Sequence, residues 1–175
     1  SAAEATPLPR LYAVPLAVRG TAYPFPGPVA PYGGGENGPP GPGGEDLAMD
    51  LSSCAVATQV AVSDEQRAVA FYEGVLGLTR GPGAHEGSWA YPCGAGTVLH
   101  VYVAPAHAGT ATGTVARFDV EDVARAVEEL SARGVTFERY DVPVATDERG
   151  IHDSGYGKVA WFTDPDGNTF ALEQV

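Results

Sequence analysis

The sequence predicts an α+β fold made of two βαβββ modules packed against each other. Three observations carry this. "VSDEQRAVAFYEGVLGL" (62–78) is matched by "VEDVARAVEELSARGV" (120–135) at an offset of 58, with Val62, Asp64, Arg67, Ala68 and Val69 answering to Val120, Asp122, Arg125, Ala126 and Val127. An alternating apolar stretch precedes each copy, and strand-like runs follow it. Turn glycines Gly96 and Gly167 then introduce the closing run of each half. A strand–helix–three-strand unit cannot cover both faces of its own sheet, so two copies are expected to pack together.

The helices are marked at both ends. Ser63 and Gln66 have capping-box spacing, and Asp122 can cap the second helix. Val123, Ala126, Val127 and Leu130 fall at i, i+3, i+4 and i+7, one apolar helical face. Gly134 stands where a helix end favours a left-handed residue. The runs "SWAYPC" and "TVLHVYVAP" read as strands of the first half, and "VTFERYDVP", "KVAWFTD" and "NTFALEQV" as strands of the second. The second copy is the longer one, and its extra residues are expected in "VATDERGIHDSGYG", a loop rich in charge and glycine.

Residues 1–48 read differently. They hold ten of the 15 prolines and nine of the 23 glycines, a composition that forfeits the backbone hydrogen bonds and order needed for a core. An extended or disordered extension is expected there, with the folded domain from Met49 to Val175, module one over 52–105 and module two over 112–175. The net charge of −12 argues against nucleic acid or an anionic membrane surface as a partner; it suits a cationic ligand, with an aid to solubility alone as the alternative. No apolar run reaches membrane-spanning length, and "LYAVPLAV" is too short and too broken by Pro15 for a secretory signal. Cys54 and Cys93, without CxxC spacing, read as free thiols of a cytoplasmic protein.

The first helix "SDEQRAVAFYEGVLGL", the paired modules and the closing "FTDPDGNTFALEQ" together resemble the vicinal oxygen chelate superfamily, with its glyoxalases, extradiol dioxygenases, fosfomycin-resistance enzymes and bleomycin-resistance proteins. The resemblance covers about residues 52–175. It implies two modules paired around a central cavity. In metal-dependent members it also implies four inward ligands, one from the first and one from the last strand of each module. Carried over by position, these are Ala57, His100, Thr114 or Val115, and Ala171. Only His100 is a good ligand, so no catalytic metal is expected. A divalent metal remains the alternative, on a displaced site using His100 and Glu173, with Gln59 the nearest third group.

His100 lies between apolar neighbours in "TVLHVYV". It reads either as a core histidine satisfied by one hydrogen bond or as a polar anchor or general base in a cavity. Alternation puts Trp89 with Tyr91, Tyr102 with His100, and Phe118 with Thr114 and Ala116. If those faces point inward, they line an aromatic pocket, so the expected ligand-binding set is Gln59, Trp89, Tyr91, His100, Tyr102, Phe118 and Glu173. His152, Asp153, Tyr156 and Lys158 are expected as solvated loop groups, with a lid as the alternative. His85 and His107 carry no assignment. The resemblance then implies a binding protein for a small organic ligand such as an antibiotic or other natural product, as in the bleomycin-resistance branch, whose members are often homodimers. The alternative is a metal-dependent glyoxalase- or dioxygenase-like enzyme. GxSxG, HExxH and a phosphate-binding loop are missing from the sequence.

Overall fold

An aspartate starts each of the two long helical segments, and each follows directly on a strand. The computed structural model describes residues 51–82 and 85–174; the Pro/Gly-rich extension and the expected domain start at Met49 lie outside the described residues. In the first half, β1 (Thr58–Val62) leads into α1 (Glu65–Val69), which continues as a wider π-helical turn through Ala70–Val75. Then come β2 (Ser88–Pro92) and β3 (Val98–Val103). The second half runs β4 (Thr114–Val120), α2 (Val123–Ala132), β5 (Ile151–Asp153), β6 (Lys158–Thr163) and β7 (Thr169–Gln174).

The caps are carboxylates. Asp64 accepts from the Arg67 amide at 2.8 Å and Asp122 from the Arg125 amide at 3.1 Å, each satisfying a free N–H of a first turn. The expected capping box on Ser63 does not form, because the Ser63 hydroxyl donates across the molecule to Asp166. Gly134 has φ +97°, and the Val135 amide returns to the Leu130 carbonyl at 3.0 Å, which closes α2.

The sheets have orders β1-β3-β2 and β4-β7-β6-β5, with β1·β3 and β4·β7 parallel and the remaining pairs antiparallel. The α+β class stands, and the two halves differ by one strand. In the first half, residues 79–82 touch β2 through a single backbone bond, Gly81 N–H to the Ala90 carbonyl at 2.8 Å, and form no strand. In the second half the fourth strand is β5, which the sequence reading had placed in a loop. Its residues pair with β6 from Ile151↔Ala160 to Asp153↔Lys158. The expected strand at "VTFERYDVP" is reduced to one bridge, Phe137 to Phe162.

One face of each sheet turns toward the helices, and the two helix-side faces share a single core. Val60, Val62, Trp89, Tyr91, Leu99 and Val101 come from the first sheet, and Ala160, Phe162, Phe170 and Leu172 from the second. Rings of the α1 segment bridge the halves: Tyr72 lies 5.8 Å from Tyr91 and 6.0 Å from Phe170, and Phe71 lies 6.4 Å from Phe162. Burying each such aromatic contributes about 1.5–3 kcal/mol.

The turn 164–168 is a clasp between the halves. Asp164, 4% exposed, accepts from the Tyr72 hydroxyl at 2.7 Å, the Asn168 side chain at 2.8 Å, and the amides of Asp166 and Asn168. Burial first, and then the adjacent Asp164 carboxylate, push the Tyr72 phenol upward, so it stays a donor. Asn168 also donates to the Ala61 carbonyl of β1 and accepts from the Gly109 amide. Asp166 accepts from the Ser63 amide and hydroxyl and pairs with Arg67. A Cβ at Gly109 would meet the Asp166 carbonyl oxygen at 1.9 Å, so this crossing excludes every other residue.

Candidate functional site

Residues that alternate with the core positions make up the open face of each sheet. On the first sheet Gln59 pairs with His100, His100 with Ala90, and Ala61 with Tyr102. Gln59, His100 and Tyr102 therefore share one side, with the small side chains of Ala61 and Ala90 between them. The His100 ring is half-buried and makes no side-chain hydrogen bond among the described residues, while its backbone pairs with Gln59 and Ala90. A cavity of about 260 Å³ lies where this face meets the second half. Gln59, Ala61 and Tyr102 line one side of it, and His107, Thr110 and Val115 contribute from the linker and β4.

The same pairing places Trp89 opposite Val101 and Tyr91 opposite Leu99, on the helix side. Both are core residues, 2% and 0% exposed. The Tyr91 hydroxyl donates to Glu73 at 3.1 Å, and burial together with that carboxylate pushes its phenol up to about 12. Arg80 lies over the Trp89 ring at 4.5 Å. Phe118 also leaves the pocket set: it stacks on Phe170 at 6.1 Å and packs against the core. The reason is parity. Alternation groups Trp89 with Tyr91, but which side they take is decided by the pairing with β3, and that puts them out of phase with His100. A register shift between Thr114 and Ala116 likewise separates Thr114 from the Ala116–Phe118 face.

On the second sheet the open face carries two rows across the strands. Arg117 (β4), Ala171 (β7) and Trp161 (β6) form one, and Asp119, Glu173 and Val159 the next. Arg117 is held between two carboxylates, at 2.6 Å from Glu173 and 2.7 Å from Asp119. Burial opposes its charge, but those two neighbours outweigh burial and raise its affinity for the proton. Trp161 meets Tyr140 edge-on, at 5.7 Å and 77°, and His152 at 6.5 Å and 37°. His152 Nδ1 lies 2.8 Å from the Ala145 carbonyl, so the neutral ring carries its proton there and leaves Nε2 free to accept.

Comparison with known proteins settles the family. The sequence model of the Glyoxalase/Bleomycin resistance protein/Dioxygenase superfamily matches residues 55–172. The chain belongs to that superfamily. A search of curated proteins finds no match. Among solved structures, the chain is similar to a glyoxalase/bleomycin resistance protein from Catenulispora acidiphila DSM 44928 (26% identity, TM-score 0.52, 70% of this chain and 99% of that one). It shares the fold of a bleomycin-binding protein complexed with bleomycin (20% identity, TM-score 0.52, 70% and 99%). It shares it too with a fosfomycin resistance protein from Listeria monocytogenes (17% identity, TM-score 0.51, 70% and 93%).

Register defines where this glyoxalase-like chain could hold a metal. Two ligands from adjacent strands can reach one ion only if they are near register partners on one face. The partner of His100 is Gln59, not Ala57, which lies before β1. The partner of Ala171 is Arg117, not Thr114 or Val115. The register partners therefore present an amide, an imidazole, a guanidinium and a methyl group, and of the positions carried over from the resemblance, Ala57, Thr114, Val115 and Ala171 add no ligand to His100. A guanidinium is permanently cationic and is no metal ligand. The displaced site is short of ligands: Glu173 is paired with Arg117, and Gln59 offers His100 only an amide. No group of three His, Cys, Asp or Glu able to hold a metal occurs among the described residues.

Of the expected ligand-binding residues, the structure brings Gln59, His100 and Tyr102 together on one open face and puts Glu173 on the other. Arg117, Tyr140, Trp161 and the cavity-lining His107 were missed by the sequence reading. Trp161 had a signal, since it alternates with Ala160 and Phe162. Arg117 and Tyr140 had none that the spacing alone reveals. Asp153 and Tyr156 are exposed at the β5–β6 hairpin, while His152 and Lys158 are half-buried strand residues. Among the described residues no helix is long and apolar enough to cross a membrane.

Proposed function

We propose that this superfamily member is a small-molecule binding protein of the bleomycin-resistance type, which holds an organic ligand on its open faces without a catalytic metal. The observation that carries the reading is the set of positions carried over from metal-dependent members, Ala57, His100, Thr114 or Val115 and Ala171, of which only His100 can ligate, with Arg117 as a fixed cation opposite Ala171. The bleomycin-binding protein and the fosfomycin resistance protein with this fold are precedents for a role in drug resistance, and sequestration of an antibiotic or other natural product is the role we assign. Because each open face lacks a second wall within its own sheet, the working form is a cytoplasmic homodimer in which open faces cover one another.

The test is metal content, ligand binding and mass in solution. Protein grown with iron, manganese, nickel and zinc, and never exposed to chelator, is expected to carry well below one equivalent of any metal and to run as a dimer in light scattering. Near one equivalent of a single metal would overturn the reading. Replacing His100 with alanine is expected to weaken ligand binding. Loss of turnover with binding retained would show instead that the chain is an enzyme with His100 as its base.

A further inference from the structure

We infer that the open face of the second sheet is a site for a planar aromatic cation, with Trp161 as platform, Tyr140 as side wall and the Glu173–Asp119 pair as charge partner. This rests on the small-molecule reading above and specifies its ligand class.

The aromatic end is built and held. Trp161 is half-buried on the open face, while its strand neighbours Ala160 and Phe162 are fully in the core. Its register neighbour Ala171 is on the same face and only 4% exposed, so the side chains beside it close over the methyl group. Tyr140 stands at 77° to the indole and the more distant His152 ring, at 6.5 Å, is tilted by 37°, so Trp161 sits in an aromatic corner with no ring of the described residues stacked parallel on it. The corner is fixed by backbone bonds. The Glu138 amide donates to the Trp161 carbonyl at 2.7 Å, and Tyr140 is tied to Thr146 by its amide at 3.0 Å and its carbonyl at 2.9 Å. A rigid floor and wall bind a flat ring with little loss of side-chain freedom.

The charged end lies within reach of the same ligand. Glu173 is opposite Val159 and diagonal to Trp161 across an antiparallel pair, a separation of about 7–8 Å. Arg117 brings one positive charge and Glu173 and Asp119 two negative ones, which leaves one negative charge in excess on the face. The protein as a whole carries −12, so its net field favours cations over anions at long range. A cation beside a ring is also favoured over an indole face.

The experiment uses the full chain and three probes: 9-aminoacridine as planar cation, 9-anthracenecarboxylate as planar anion and cyclohexylamine as non-planar cation. Binding is read by calorimetry, and by quenching of tryptophan emission. The chain has two tryptophans, and Trp89 is 2% exposed, so quenching by a bound ring reports Trp161. The acridine is expected to bind at least about tenfold tighter than either comparator. Trp161→Leu is expected to lose about tenfold and the quenching with it. Glu173→Gln, which keeps the shape of a half-buried side chain and the fold, is expected to lose the preference for cation over anion. Equal acridine affinity in the wild type and both variants would overturn the proposal, as would tighter binding of the anion. A thermal-shift screen of varied neutral and anionic organic compounds separates the two levels. Binding there with no acridine preference would sink the aromatic-cation site and leave the small-molecule reading. No binding by any class would sink both.

Discussion

Tyr72→Phe tests whether the turn 164–168 holds the two halves together. The Tyr72 ring is 0% exposed, and its hydroxyl makes one bond, 2.7 Å to the Asp164 carboxylate, across 92 residues of sequence. Phenylalanine keeps the ring contacts to Phe71, Tyr91 and Phe170 and removes only the oxygen. Hydrogen bonds to charged groups are worth about 1.5–3 kcal/mol. Asp164 keeps three donors in the variant, Asn168 Nδ2 and two backbone amides, so its charge is not orphaned and the lower end applies, about 1.5–2 kcal/mol. For a domain of this size that is a fall in Tm of roughly 4–10 °C. Urea unfolding should show a lower midpoint at unchanged slope, since the surface exposed on unfolding is the same. Tyr156→Phe, at an 86%-exposed ring, is the silent control. A loss under about 0.5 kcal/mol would refute the reasoning, because a buried charge-assisted bond cannot be that weak unless the hydroxyl is solvated.

Further outcomes follow from the same junction and from the open faces. Burial raises the Asp166 carboxyl, but the hydroxyl and amide of Ser63 and the guanidinium of Arg67 outweigh it, so the folded-state value is depressed below 3.8. Its stabilisation is therefore complete above about pH 4 and fades as pH falls through the folded value, so the Tm gap between wild type and Asp166→Asn should be wide at pH 7 and close below pH 3.8. A gap that stays constant with pH would refute the pairing. Gly109→Ala combines φ +64° with a Cβ clash against Asp166 and should cost at least about 2 kcal/mol, read by urea unfolding. Arg117→Met should leave the fold intact and strengthen binding of cationic ligands by removing the one positive charge between Asp119 and Glu173; unchanged cation affinity in calorimetry would show that the face is not read by charge.

Much of the architecture was legible because it is periodic. The repeat, the aspartate caps, Gly134 and the runs that became β2, β3, β6 and β7 are local signals, each fixed by residues close in sequence. The misses are non-local. The charged stretch 144–157 reads as loop by composition, yet Ile151 and its neighbours complete a ladder with β6 that composition does not encode. Trp89, Tyr91 and Phe118 were misplaced for a sharper reason. Alternation says which residues share a face, and only the partner strand says which face that is. Ser63 failed as a cap because Asp166, 103 residues away, takes its hydroxyl.

That last exchange bears on what family membership can and cannot say. The residues that identify the superfamily from sequence are the Ser63-Asp64 helix start and the Asp164–Asn168 turn. In the structure they hold one another: Ser63 and Arg67 bind Asp166, Tyr72 binds Asp164, and Asn168 binds the Ala61 carbonyl. Asn168 also lines the cavity beside Ala61 and Tyr102, with its side chain engaged by the Ala61 carbonyl, Asp164 and the Gly109 amide. In this chain the motif is thus a clasp between the two halves, held by these bonds whatever the open faces bind. Under the proposed binding role the ligand is read by other positions, Gln59, His100 and Tyr102 on one face and Arg117, Trp161 and Glu173 on the other. Those side chains only have to fit a pleated strand, so their chemistry is free to vary. The strand that closes "WFTDPDGNTFALEQV" delivers Glu173, but to a guanidinium, and that choice is made by Arg117 on a strand 56 residues earlier.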